Sequence, residues 1–223
     1  MPDCRLFPGY HLGEQNLWAK NSLFEQAIRS PLIVVDPDAK TAASRKNVYA
    51  LVESVDIFPT ILELCRVEHH ALLEGTSFAP LLRDASFELD WKTAAFTAKI
   101  LPRGEYCYIG HSVRTERYRF TEWMYIRTEQ KNELPDLWIA TLEAEILGHA
   151  RPPVRELFDF VVDRNGQRNL VADPSYRLVV LKLKKVLREG FSAVAARIGQ
   201  GSTTPLPEGA ALNESTPALA GSL

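Results

Sequence analysis

Segments 106–113 and 118–126 carry tyrosine, valine, isoleucine, phenylalanine and tryptophan in alternation with small and polar residues, and Arg114-Thr115-Glu116-Arg117 lies between them. In an extended chain a period of two sends successive side chains to opposite faces, and aromatic and β-branched residues suit a pleated, half-buried surface. The pattern predicts two antiparallel strands with the four polar residues at the turn. Glu156-Leu157-Phe158-Asp159-Phe160 is a further strand candidate, and Asp163-Arg164-Asn165-Gly166 is a turn signal, since Asn-Gly tolerates positive φ. Asp173-Pro174 then opens a helix with a capping carboxylate and a proline at the first helical position. Its predicted apolar face is Leu178, Leu181 and Val186 with Val179 and Leu183 beside it, and Gly190 is the predicted stop. Lys182, Lys184, Lys185 and Arg188 fall toward the end of this helix, where its dipole favours cations.

Upstream the pattern changes. Residues 1–30 read as a loop followed by a short helix over 22–28. Pro31-Leu32-Ile33-Val34-Val35, closed by Asp36-Pro37-Asp38, predicts a buried strand of a largely parallel sheet. Apolar positions over 52–65 recur at near-helical spacing, with Pro59 either starting the regular part or kinking it. A turn and a short helical turn follow over 74–82, then a loop over 84–92 and a strand over 93–97. Beyond Ile198 the composition falls to glycine, serine, threonine, proline and alanine, which bury too little surface to offset chain entropy, so a disordered tail is expected.

Several function classes are disfavoured. With 26 basic and 28 acidic residues interspersed, the chain lacks the basic footprint of a nucleic-acid binder. No apolar run approaches the roughly 20 residues that a bilayer crossing needs, so no membrane partner is expected. Cys4, Cys65 and Cys107 are odd in number and widely spaced, fitting neither a disulfide framework nor a paired zinc site; Cys65, inside an apolar helical pattern, reads as a small core residue. The adjacent His69-His70 would diverge on regular structure and reads as surface loop.

Five islands, in this order, resemble the sulfatase family, and within it the branch with iduronate-type and choline-type members. They are Gly9-Tyr10-His11-Leu12-Gly13-Glu14 with Trp18-Ala19-Lys20; Val55-Asp56-Ile57-Phe58-Pro59-Thr60-Ile61-Leu62-Glu63-Leu64; Glu74-Gly75-Thr76-Ser77-Phe78-Ala79-Pro80-Leu81-Leu82; Ser112-Val113-Arg114-Thr115 with Tyr118-Arg119-Phe120-Thr121-Glu122-Trp123; and Glu156-Leu157-Phe158-Asp159 running to Asn169-Leu170. The order carries the weight, because each short motif alone has a false-positive risk. The resemblance implies an alkaline-phosphatase-like α/β fold, here its carboxy-terminal remnant, followed by a small α+β domain with an antiparallel sheet and a terminal helix. The corresponding division is 1–70 for the end of the large domain, 71–198 for the small domain and 199–223 for the tail.

Sulfate ester hydrolysis needs a nucleophile, neutralisation of the sulfate oxygens and a proton for the leaving alcohol. The family's nucleophile is a formylglycine made in a Cys/Ser-x-Pro/Ala-x-Arg motif, which none of Cys4, Cys65 and Cys107 fits. Its calcium is held in part by an Asp-His or Asp-Asn pair directly before the first glycine of the opening island, where this chain has Phe7-Pro8. Calcium and formylglycine are therefore expected in a complete member, and no metal or cofactor in this chain. On the residues alone Lys20 is an ordinary exposed lysine; the resemblance makes it a sulfate contact. His11 is either a substrate or proton-shuttle group or a structural histidine. Glu14 and Trp18 read as loop-shaping, and His111, Arg114 and Trp123 as core or surface residues of a domain that can lend groups to the pocket.

The resulting expectation is a carboxy-terminal portion of a sulfatase, or a chain with a misassigned start, inactive by itself, whose parent takes a sulfated sugar or small alcohol. The alternatives are a catalytically silent binding module and a fragment of a related phosphodiesterase or phosphonate hydrolase. Self-association through an exposed apolar face is also expected.

Overall fold

The computed structural model of the chain describes residues 3–6, 9–36, 47–68, 73–83, 91–103, 106–127 and 153–201. Among these the order is β1 (Asp3–Leu6), β2 (His11–Leu12), β3 (Trp18–Ala19), α1 (Glu25–Ile28), β4 (Leu32–Val35), α2 (Ile57–Leu64), α3 (Ala79–Arg83), β5 (Ala94–Arg103), β6 (Tyr106–Thr115), β7 (Tyr118–Arg127), β8 (Val154–Asp159) and α4 (Arg177–Gly201). Strands β5 to β8 form a four-stranded antiparallel meander in sequence order. The predicted hairpin is its centre, with Val113 opposite Phe120 and Ser112 opposite Thr121. The turn is tighter than expected: both Arg114 and Thr115 stay in β6, and the Thr115 hydroxyl caps it by accepting from the Tyr118 N–H.

Alternation gives the sheet two chemically distinct faces. Val113, Phe120 and Leu157 point to one side and close a core with Leu170, Leu183 and Leu187, against which Tyr176, Val179, Val180 and Val186 pack. Fully burying each large apolar side chain contributes about 1.5–3 kcal/mol, so this layer is the main source of stability. Asp159 joins its parts, accepting from the Arg117 guanidinium at 2.7 Å, the Tyr176 hydroxyl at 3.1 Å and the Val161 N–H at 3.1 Å.

The start of α4 follows expectation, since Asp173 Oδ1 accepts from the Ser175 N–H and Pro174 sits in the first turn. Its buried stripe does not. Val179, Leu183, Val186 and Leu187 face the sheet, whereas Leu178 is 79% and Leu181 56% exposed. The helix carries two adjacent apolar stripes, and only the sheet decides between them. Gly190 does not end α4, which runs to Gly201; a Cβ at residue 190 would lie 2.2 Å from the Phe96 ring, so glycine is there to admit that ring. From 202 on, the expected tail lies outside the described residues, as do His69-His70 and 84–90 of the expected loop.

Helix α2 begins later than its apolar pattern. A 3-10 turn over Ser54–Asp56 precedes it, with Glu53 and Asp56 exchanging backbone and side-chain bonds as a capping box. Pro59 is the third residue of α2, where a backbone N–H has no intrahelical partner, so it produces no kink. The fully buried Asp56 carboxylate also accepts from the Thr76 N–H at 2.8 Å and from Lys92 Nζ at 2.6 Å, while Glu53 accepts from the Phe96 N–H at 2.7 Å. These bonds tie α2, the 73–83 segment and the start of β5 into one unit. Cys65, expected in the core, caps α2 and is exposed; Cys107 is buried.

Segment 31–35 departs from the buried parallel strand that its apolar run suggested. Among the described residues β4 pairs antiparallel with β1, Leu32 opposite Leu6, and Ile33 and Val35 are about half exposed. A continuous apolar run does not distinguish the two arrangements, because it carries no mark of which face is covered.

Candidate functional site

The opening island forms a small hairpin, β2 with β3, in which His11 pairs with Ala19 and Leu12 with Trp18. Between the strands the chain turns through left-handed backbone: Gly13 has φ 122, Gln15 52 and Asn16 57, and Ala19 follows at 74. A non-glycine residue there costs about 1–2 kcal/mol, so the conformation persists only where its surroundings impose it. Glu14 supplies part of that, its carboxylate accepting from the Leu12 N–H at 2.7 Å, an interaction that holds it below the usual carboxylate range. The Gly13 N–H bonds the Leu17 carbonyl at 3.0 Å. Gln15 Nε2 donates to the carbonyls of Asn165 and Gly166 at 3.2 and 3.1 Å, and Gln26 Nε2 to that of Asn165 at 2.8 Å. Asp163 in turn shapes this acceptor turn by taking the N–H groups of Asn165, Gln167 and Arg168. An open depression of about 320 Å³ lies where the two turns meet, lined by Gly13, Glu14, Gln15, Asn16 and Gln167.

Lys20 follows β3 directly and is exposed, and its carbonyl accepts from the Ser22 N–H at 3.0 Å. His11 is fully buried. Its Nε2 lies 2.6 Å from Ser22 Oγ, its ring meets Phe24 edge-on at 6.1 Å, and its Nδ1 is buried with no hydrogen-bond partner. The structure therefore separates the two residues singled out from sequence: Lys20 faces solvent, while His11 braces the chain on either side of it. Trp18 is 72% exposed and, with Leu12, forms the outward side of the hairpin.

The polar face of the large sheet carries this loop. Gly110 leaves a gap that Leu23 fills; a Cβ at that position would meet Leu23 Cδ1 at 2.5 Å and the Trp123 ring at 2.6 Å. Glu25 receives Arg114 Nε at 3.0 Å and Arg119 Nη2 at 2.7 Å. Burial alone would raise the Glu25 carboxyl, but Arg119 and Arg114 prevail and hold it below its ordinary value. Phe24 packs on Phe158 at 5.7 Å, and Lys99 Nζ reaches Asn21 Oδ1 at 2.9 Å. Of the three residues noted in the small domain, Arg114 thus meets the loop, and the Trp123 ring borders the gap at Gly110 that Leu23 enters, its Nε1 donating to Glu156 at 3.0 Å. His111 lies on the opposite face, beneath α4, as the cross-strand partner of Glu122. Glu25, Arg119, Asn21 and Lys99 were not singled out from sequence. The available signal was the shared face of Arg114 and Arg119, which register places opposite each other.

Among the described residues no three His, Cys, Asp or Glu side chains come together in the way a metal site requires. With Phe7-Pro8 before Gly9 and no cysteine in a formylglycine motif, the residues present do not fit calcium or the formylglycine nucleophile.

A family profile described as N-sulphoglucosamine sulphohydrolase, C-terminal, matches residues 13–151, more than half of the chain, from the hairpin turn at Gly13 through strands β5 to β7. The chain belongs to the sulfatase family. It carries a carboxy-terminal portion of a sulfatase. A sulfatase of Formosa agariphila is 30% identical over 131 residues, which is 56% of this chain and 24% of that protein. An N-acetylglucosamine-6-O-sulfatase of Bacteroides thetaiotaomicron is 34% identical over 89 residues, 40% of this chain and 16% of the relative. A solved complex with its substrate D-glucosamine-2-N,6-O-disulfate superposes with TM-score 0.59 at 20% identity, covering 89% of this chain and 35% of the other. The chain thus spans a quarter or less of these two sulfatase sequences. The mixed architecture of helices and antiparallel sheet fits the fold of these alkaline-phosphatase-like sulfatase structures.

Proposed function

We propose that this chain is the carboxy-terminal part of a sulfatase whose complete form hydrolyses a sulfate ester on a sugar, and that by itself it binds the sulfate without turning it over. What carries this reading is the exposure of Lys20 at the end of a strained hairpin that the rest of the chain holds in place. An ammonium is a compact charge with rotatable donors, suited to neutralising sulfate oxygens as the ester bond breaks. His11 serves this group indirectly, since its bond to Ser22 fixes the turn that begins at the Lys20 carbonyl. Nucleophile and metal chemistry fall to residues that this chain does not supply. The reading also divides the chain at about residue 70, with the sheet and α4 as the small domain. Two relatives support a sugar as the substrate class: one is named for N-acetylglucosamine-6-O-sulfate, the other was solved with a disulfated glucosamine.

The test combines turnover and binding. The purified chain, with an aryl sulfate and calcium, should release no phenol, while glucosamine 6-sulfate should shift the amide signals of residues near Lys20. Lys20→Ala should remove those shifts. Turnover would overturn the silent assignment, and shifts that survive the substitution would overturn the role of Lys20.

A further inference from the structure

We propose that Lys99, working with Asn21, is a second anion-recognition point beside Lys20, so that the sugar taken at this site carries a second acidic group besides the sulfate ester. The inference rests on the sulfatase reading above and names the substrate more closely.

The first observation is a contrast among the cations of the sheet. Lys92 is matched by Glu53 and Asp56, Arg114 and Arg119 by Glu25, Arg117 by Asp159, and Arg155 by Glu122. Lys99 is different. Among the described residues it meets no carboxylate, and its bond goes to the neutral amide oxygen of Asn21. That bond uses one of the three donors of the ammonium. Partial burial pushes this ammonium below its ordinary value, a cost that an anion beside it reverses.

The second observation is position. Asn21 is the next residue after Lys20, so the amide that Lys99 orients is attached to the candidate sulfate contact. The strand carrying Lys99 is paired to β6 with Lys99 opposite Gly110, the gap in which Leu23 seats the loop. The third observation lies one register step along the same face. Leu101 is opposite Tyr108 and Tyr108 opposite Tyr125, with the two tyrosine rings 5.1 Å apart at 67°. Half-buried aromatic rings next to a cation suit a sugar ring that bears an anionic substituent. A sugar whose only charge is one sulfate uses Lys20 alone; one with a carboxylate or a second sulfate also engages Lys99.

Calorimetry at low salt decides this with three probes: N-acetylglucosamine 6-sulfate, the same sugar joined to a uronic acid, and glucosamine 2-N,6-O-disulfate. The wild-type chain should bind at least one dianionic probe about tenfold more tightly than the monosulfate, and which one does so identifies the second group as carboxylate or sulfate. Lys99→Ala should reduce that preference to within roughly twofold, Lys99→Arg should retain it, and raised salt should weaken it. Asn21→Ala, with folding checked by circular dichroism, provides a second route should the lysine variant fail to fold. A preference that survives both Lys99→Ala and Asn21→Ala, or no preference in the wild type, overturns the inference while leaving the sulfatase reading in place. If none of the three probes binds and Lys20→Ala changes nothing, both fall together.

Discussion

The two faces of the central sheet come from the same four strands, yet they behave as different materials. On the helix side Val113, Phe120 and Leu157 meet Leu183 and Leu187 in a dry layer. On the loop side Arg114 and Arg119 meet Glu25, Arg119 also donates to Ser112 Oγ at 3.2 Å, and the Thr121 hydroxyl donates to Ser112 Oγ at 2.9 Å. Apolar packing is strong and tolerant of small shifts, whereas charged and hydroxyl contacts act only in narrow geometry. The first face keeps the protein folded and the second keeps the loop in place. The separation is incomplete, since His111, Glu122, Arg155 and Lys184 form a polar end to the helix-side face.

Four changes would break or sharpen this contrast. Phe120→Ala, at a fully buried site, should cost about 3–5 kcal/mol by cavity formation and lower the midpoint of global unfolding, read by denaturant titration. Glu25→Ala should cost about 3 kcal/mol, because it strands the buried Arg119 guanidinium, but with a different signature. Hydrogen exchange should rise over residues 20–28 before it rises in the sheet; a uniform rise would erase the distinction between the faces.

Acid tests the polar end of the helix-side face. Burial, opposed by the Glu122 charge, holds the His111 imidazole down from 6.5 to about 4. The unfolded chain therefore takes up a proton first, and the stability associated with neutral His111 is complete above pH 6.5 and lost as the pH falls toward 4. The loss is on the order of 3 kcal/mol, and thermal melts of the wild type against His111→Gln over that window should show the variant with a flatter profile. The smallest change expected is at Ala19, with φ 74: Ala19→Gly should relieve the left-handed strain and raise loop stability by about 1 kcal/mol, measured as slower exchange of the hairpin amides.

Much of the sheet was readable because its signals are local. The alternation in 106–113 and 118–126, the Asp173-Pro174 cap and the Asp163 to Gly166 turn each act within a few residues, and the structure has each of them. What was misread depends on distant neighbours. Whether Leu178 or Val179 faces inward, whether Gly190 stops a helix or receives the Phe96 ring, and which strand covers Ile33 are settled by residues far away in sequence. The proposed site shows the same split. Lys20 and Glu14 belong to one short motif and could be found together, while Lys99 meets Asn21 across 78 positions, a contact no motif spells out.

The bonds from Gln15 to the carbonyls of Asn165 and Gly166 span 150 and 151 positions. Closing so long a stretch is entropically unfavourable until intervening contacts have formed. During synthesis the hairpin emerges early, but its docking turn follows some 150 residues later, so until then Gln15 lacks the carbonyls that hold it. The loop should accordingly be among the last parts to reach its final shape, and substitutions in it should speed unfolding while leaving the folding rate nearly unchanged.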